Sequence, residues 1–488
     1  MKERSLSVNY ILSALRILTS AIVGLLIMSH ANKVLGAVII GKIEYASTII
    51  NYFIMFSALG IPMYGVREVA KQKKNKKELS KTLIELISIL FVTTVISYLV
   101  LFTLLYGFDF FTEYKSLILL LSIIIFLTNA GADWFFVGME NQMYITVRFI
   151  LIRLIALIIL YLYVNSKDDD LIYVIVTILY LCGSNIFNFY FLYKNIQFNE
   201  VSFRELNFKR HIRPVMTIFI AAISVNIYLQ LDSFLIGHIA GDKYLGYYAA
   251  SNKLIRLATT FISVAGLVLI PRLSVYWDTD MNEYFNMLGK SFSLILTFFI
   301  PASLYFFIFA RQVIMIMAGE DFYPAIFTMK LLAPICIIAG IVYFLGYLVL
   351  FIQKKEKIYT YAVILSAGFS VIVNLYAIRE WQQNGAAVTQ ICAEILAIAF
   401  MLAFIWKELP RNLVFNRNLI KILLSSVMGV ITVLVLRKLI DWEFNFFTFA
   451  AESIIFFLSI FVCLLLIKEK YVSEAFSMII KRFKQIIK

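Results

Sequence analysis

Fourteen long apolar runs fill this chain from about Ser7 to Ile467, and the polar stretches between them alternate between rich and poor in Lys and Arg. A hydrocarbon core about 30 Å thick takes roughly 20 helical residues per crossing. Backbone in lipid must close its own hydrogen bonds, so runs of this length read as helices. The chain is therefore expected to be an all-α, polytopic membrane protein. Of its 488 residues 62% are hydrophobic, and fourteen crossings leave little of it for anything soluble.

The expected spans are 7–29, 44–65, 83–105, 116–138, 146–165, 171–193, 214–238, 246–270, 289–309, 325–352, 359–378, 386–406, 422–440 and 448–467. They divide the chain into an N-terminal six-helix lobe (1–193), a linker (194–213), a second six-helix lobe (214–408), helices 13 and 14 (409–467) and a basic amphipathic tail (468–488). Both lobes start on the same side, which makes them parallel repeats about an axis along the membrane normal. A faint echo accompanies this: Gly41 with Tyr45-Ala46-Ser47, and Gly241 with Tyr248-Ala249-Ala250-Ser251. The recurrence of small residues and Tyr at membrane interfaces explains it equally well.

Lys and Arg in short loops are retained on the cytoplasmic side. Loops on the side of the N-terminus hold about 31 of the 44, among them Arg67 to Lys81, Lys194 to Arg213 and Lys407 to Lys421, so both termini are expected in the cytoplasm. The net charge of +14 is spread over these membrane-flanking loops, with no single patch or aromatic platform. That distribution fits an anionic inner leaflet and argues against nucleic acid.

Catalytic chemistry finds little support. The outward loops are too short to build an extramembrane acceptor site, which disfavours a polymerase or ligase. Gly289-Lys290-Ser291 resembles the end of a phosphate loop, but Tyr284 stands where the earlier glycine belongs. The three histidines, His30, His211 and His238, lie far apart along the span map, and the four cysteines sit in apolar runs without metal-ligand spacing. No catalytic residue, metal or cofactor is assigned.

The informative residues are charges inside spans. A basic side chain at a helix centre costs roughly 2.5–3.5 kcal/mol on insertion scales, so it normally faces a wet cavity or a partner. Arg16 in span one and Lys253 and Arg256 in span eight are singled out. Lys253 and Arg256 share a helical face and point together at whatever it lines, which suits an anion between them. Arg16 has a competing account, snorkelling toward the headgroups. Span seven supplies Asn226, Gln230 and Asp232, and Asp232 lies near the depth of Lys253, as a structural ion pair or as a coupling group. Glu394 in span twelve is a second coupling candidate or a helix-packing residue, whereas Glu85 and Glu452, nearer span ends, are expected to reach water. Asp133-Trp134-Phe135-Phe136-Val137-Gly138-Met139-Glu140 reads as an aromatic belt with two carboxylates at headgroup level.

That DWFFVGME string, VLGAVIIGKIEYA after span one, ALGIPMYGVREVAK after span two and GYYAASNKL before Arg256 together resemble the bacterial polysaccharide or O-antigen lipid flippases of the multidrug/oligosaccharidyl-lipid/polysaccharide exporter superfamily. The resemblance runs over nearly the whole chain. It implies two six-helix lobes in a V around a cationic central cavity, with two extra helices forming a hydrophobic groove. It implies a substrate, an undecaprenyl-diphosphate-linked oligosaccharide moved from the inner to the outer leaflet of the bacterial inner membrane. Association with polysaccharide assembly proteins would accompany that role. The family's cavity arginines correspond to Arg16 and Arg256. On this expectation Arg16, Lys253 and Arg256 hold the diphosphate, Asn226, Gln230, Asp232 and Glu394 supply polar and coupling groups, and a proton or sodium ion drives transport. The alternatives are a multidrug or organic cation antiporter of the same superfamily, a membrane polysaccharide polymerase, and a purely structural membrane scaffold.

Overall fold

The computed structural model describes residues 6–195, 201–410, 417–440, 445–474 and 476–477, and within them every regular element is helical. Among the described residues ten helical segments are long and apolar enough to cross a membrane, which makes this a multi-pass membrane protein. The chain divides into two compact units, Met1–Gly246 and Tyr247–Lys488.

The first unit is built around α1, Leu6–Ala58, 53 residues long. No loop separates the first two apolar runs. Instead Gly36, at φ 77° and ψ 173°, breaks the helix at one residue, a left-handed backbone that glycine adopts without steric penalty. The second run ends earlier than expected. Leu59 and Gly60 both take positive φ, and the chain turns into a separate amphipathic helix, α2 (Ile61–Gln72). Then follow α3 (Lys76–Gly107), α4 (Lys115–Leu121), α5 (Ile123–Gly131), α6 (Asp133–Gly138), α7 (Gln142–Tyr163), α8 (Asp170–Cys182), α9 (Ile186–Asn195) and α10 (Lys209–Ile239). α1 packs against α3, α5, α7 and α10.

Two helix crossings pair the four sequence strings singled out above. At the first, a Cβ on Gly41 would collide with the carbonyl of Asp242, and one on Gly246 with the carbonyl of Ala37, so the backbones touch where VLGAVIIGKIEYA meets the start of GYYAASNKL. Tyr45, fully buried, seals the crossing by stacking on Phe234. At the second, α2 lies on α6, with Gly65 against the Trp134 ring and Gly138 against Val69. Trp134, Phe135 and Phe136 are 5%, 3% and 1% exposed and join the core with Tyr64, Val69 and Leu83. The aromatic string is therefore packing, not the headgroup belt that composition suggested. Its rings find apolar partners in α2 that sequence alone places far away.

The chain passes into the second unit within α11 (Asp242–Thr279). There α11 docks by Ser251 Oγ, which donates to the carbonyl of Ala325 at 2.9 Å, and by Tyr248 Oη, which donates to Gln390 Oε1 at 2.9 Å. α12 (Met281–Ile308), α13 (Ala310–Met317), α14 (Ala325–Leu332) and α15 (Ile335–Tyr343) follow, α15 running into a wider π-turn over Phe344–Phe351. α16 (Glu356–Ile405) is broken once, at Gln382 (φ 47°, ψ −129°). α17 (Arg417–Leu439) and α18 (Phe446–Leu466) form an antiparallel pair, fastened by Arg437 Nη2 donating to Glu452 Oε2 at 2.7 Å. Glu452 is 7% exposed, so it does not reach water as expected but is neutralised by that arginine. The tail helix expected over 468–488 falls partly outside the described residues.

The Gly41 crossing yields a direct test. Gly41→Ala forces a methyl into backbone and should cost about 1–3 kcal/mol. Gly107→Ala, where nothing lies within 4 Å, should change little. Thermal unfolding of the two purified variants in detergent checks the difference.

Candidate functional site

One face of α1 sets the chemistry of the first unit's interior. Ser13, Arg16, Ser20 and Gly24 recur at three- and four-residue spacing and so form one stripe. The stripe meets α7 and α8: Ser13 Oγ donates to Gln142 Oε1 at 3.5 Å, Tyr180 Oη donates to the carbonyl of Ser20 at 3.1 Å, and the Tyr180 hydroxyl fills the space above Gly24. Arg16, half-buried, is thereby aimed into this bundle. It stands close enough to Asp133, Arg148 and Arg153 for their charges to act on one another.

Arg148 and Arg153 both come from α7, inside the apolar run expected to span. Counting Lys and Arg by loop passed over them, although a basic residue within an apolar run is the signal that picked out Arg16. Arg148 is 6% exposed and engaged through both Nη atoms. Its Nη1 donates to the carbonyl of Ser184 at 2.8 Å and to Asn188 Oδ1, its Nη2 donates to Asp133 Oδ1, and its guanidinium lies over the Tyr144 ring. Asn188 Nδ2 in turn donates to Asp133 Oδ1 at 3.0 Å and to the carbonyl of Gly131. Asp133 occupies the start of α6 because Ala132 adopts positive φ and turns the chain between α5 and α6.

Arg153 is different. It is residue 12 of the 22 in α7, so about 16 Å of helix separates it from either end, near the middle of a bilayer. Its guanidinium lies between two rings, 3.8 Å from the Phe149 centroid and 4.0 Å from that of Tyr180. Phe149 precedes it by one helical turn, so the sequence supplies half of this sandwich locally.

A second polar cluster gathers where α3 and α10 begin. Glu85, fully buried, accepts from the backbone N–H of Asn207 at 2.5 Å, from Arg210 Nε at 3.0 Å and from His211 Nε2 at 2.7 Å. With Nε2 donating, His211 Nδ1 accepts from Tyr64 Oη at 2.8 Å. Glu85 was expected to reach water. Its partners, more than 120 residues away, replace that water instead.

The remaining sequence candidates are distributed over both units. Asp232 (6% exposed) and half-buried Gln230 lie on α10, in the first unit; the side chain of Asn226 is outside the described residues. Exposed Lys253 and half-buried Arg256 lie on α11 in the second unit, where Arg256 Nε donates to Asn252 Oδ1 at 3.3 Å. Glu394, half-buried, is on α16 and within electrostatic range of Tyr359. Among the described residues no group of His, Cys, Asp and Glu has the makings of a metal site.

Removing Arg148 breaks a buried hydrogen-bonded network. Arg148→Met is expected to destabilise by about 1–3 kcal/mol, the lower part of the range for buried ionic networks because Asp133 is half exposed and can hydrate. The unfolding midpoint in detergent reads this out.

Comparison with known proteins places these observations. A family model described as polysaccharide biosynthesis protein matches residues 6–277. A putative O-antigen transporter of Escherichia coli (strain K12) is 20% identical over 394 residues, covering 78% of this chain and 92% of that relative. Among solved structures, the lipid II flippase MurJ in an inward closed conformation superposes with a TM-score of 0.73 at 15% identity, over 93% of this chain and 98% of that one. An inward-facing multidrug resistance transporter of the MATE family and MOP superfamily gives 0.65 at 10% identity, over 80% and 94%.

Proposed function

We propose, from the premise that this chain belongs to the polysaccharide biosynthesis protein family, that it is a flippase. Its cargo would be an undecaprenyl-diphosphate-linked oligosaccharide, carried from the inner to the outer leaflet of the bacterial inner membrane for cell-surface polysaccharide assembly. The observation that carries the reading is a family member with guanidinium groups deep among apolar helices: Arg16 beside Arg148 and Arg153 in one unit, Arg256 in the other. A relative named as a putative O-antigen transporter and a fold shared with a lipid II flippase support it.

In this reading fourteen crossings arise when α1 and α16 each count twice, at Gly36 and Gln382, and α10 and α11 cross as well. The expected division at the 194–213 linker gives two six-helix lobes in a V around a central cavity, with two extra helices. The basic loops put both termini in the cytoplasm.

Arg16, Lys253 and Arg256 hold the diphosphate. Guanidinium suits this because it pairs phosphate oxygens through two parallel hydrogen bonds and stays charged at any relevant pH. Asn226 and Gln230 offer hydrogen bonds to sugar. The polyprenyl tail stays in lipid while the lobes alternate access. Asp232 and Glu394 are the coupling carboxylates, for a proton or sodium ion, with the membrane potential contributing roughly 2.3 kcal/mol per charge per 100 mV. Polysaccharide assembly proteins are the partners this role calls for. The drug-extruder alternative rests on fold likeness alone.

Arg256→Ala is expected to slow flipping of a labelled lipid-linked oligosaccharide in proteoliposomes by about tenfold or more, since a charged hydrogen bond contributes about 1.5–3 kcal/mol. An unchanged rate would remove the diphosphate clamp. The double variant Asp232→Asn with Lys253→Gln should lose the acceleration that an imposed proton or sodium gradient gives the parent. If gradient-driven flipping persists in it, those two residues form only a structural pair.

A further inference from the structure

Arg153 is a buried arginine with two of its nitrogens left without acceptors among the described residues. Its side chain is 7% exposed, yet Nε and Nη1 have no hydrogen-bond partner among the described residues. The rings of Phe149 and Tyr180 cover the two faces of the guanidinium. They stabilise the cation and the Tyr180 hydroxyl also bonds it, but a ring face cannot accept at the edge, and Nε and Nη1 stay without a partner among the described residues. The Arg16 guanidinium raises the positive potential further. The contrast with Arg148, one and a half turns earlier on the same helix, is instructive. There, among equally buried surroundings, the fold provides a carboxylate, an amide oxygen and a backbone carbonyl. Arg148 is furnished with acceptors at both Nη atoms and lacks one at Nε, whereas Arg153 lacks one at Nε and Nη1 among the described residues.

The stripe on α1 links the two arginines. Arg16 lies one turn before Ser20, whose carbonyl accepts from Tyr180, the same tyrosine that stacks on Arg153. Arg16 is only half-buried and within electrostatic range of Arg153, so an anion that reaches Arg16 is attracted by both charges.

We propose that Arg16 and Arg153 together form a phosphate-binding element inside the first unit, with Arg153 meeting the anion through its in-plane donors. The ligand class is a phosphate or diphosphate, borne by a lipid headgroup or free. The lipid-borne case rests on the flippase reading above.

The test compares the full-length protein with Arg153→Met, which keeps length and apolar bulk but removes the charge. Without ligand, Arg153→Met should unfold at the same temperature as the parent or higher, because it removes a buried charge short of acceptors at Nε and Nη1. Inorganic pyrophosphate in detergent, and undecaprenyl diphosphate in nanodiscs, should each raise the parent's unfolding midpoint in a dose-dependent way. Arg153→Met should bind both at least about tenfold more weakly. A response to undecaprenyl diphosphate but not to pyrophosphate assigns the element to the lipid headgroup, and a response to both assigns it to the phosphate chemistry itself. The proposal is overturned if Arg153→Met lowers the ligand-free midpoint and leaves affinity unchanged, the signature of a structural arginine, or if the parent responds to neither probe. Flipping of a labelled lipid-linked oligosaccharide by the parent separates the two levels. Flipping with intact diphosphate affinity in Arg153→Met defeats this element alone, whereas a parent that neither flips nor binds defeats the flippase reading with it.

Discussion

A guanidinium group keeps its charge at every pH a cell reaches, so one carried into hydrocarbon has to be met by acceptors, by aromatic faces or by a visiting anion. The interior of the first unit is organised by that demand. Asp133, Asn188 and the carbonyl of Ser184 converge on Arg148. The positive φ at Ala132, an uncommon choice for a residue with a side chain, brings Asp133 to the beginning of its short helix. Phe149 and Tyr180 close on Arg153, and Tyr180 then reaches across to fix α1. Polar and aromatic residues that look scattered along the chain turn out to answer two neighbouring cations.

How much of this the sequence discloses depends on how local each cause is. Apolar run length is local, and it correctly announced a multi-pass helical membrane protein. Breaks caused by single residues are less visible. Gly36 joins two runs through one left-handed residue where a loop was expected, and Leu59 with Gly60 ends the second run before Tyr64, which belongs to a different helix. Pairings over long separations are the least legible. Nothing near Glu85 in sequence reveals that Asn207, Arg210 and His211 will surround it, and nothing near Trp134 reveals Gly65. Glu452 is an intermediate case, because Arg437 sits only 15 residues away across a hairpin of helices. Arg148 and Arg153 were legible in principle, as bases inside an apolar run, but attention to the loops passed over them.

The four strings that carried the family resemblance acquire a physical meaning as pairs. Two of them meet where Gly41 and Gly246 let backbones touch, and two where Gly65 and Gly138 admit Trp134 and Val69. Close approach of this kind tolerates few alternatives, since lipid provides no hydrophobic drive between helices and van der Waals fit must do the holding. The strings that carry the resemblance thus mark helix crossings.

The buried carboxylate of Glu85 has a mechanical corollary. It grips an amide just ahead of α10 and two side chains in that helix's first turn, all from one position on α3. Such a rivet leaves the two helices no freedom to slide past each other at this end. Motion in either must swing about the fastening as about a pivot, so that small displacements there grow into larger ones toward the far tips. Whatever cycle the protein runs, this end would set its lever arm.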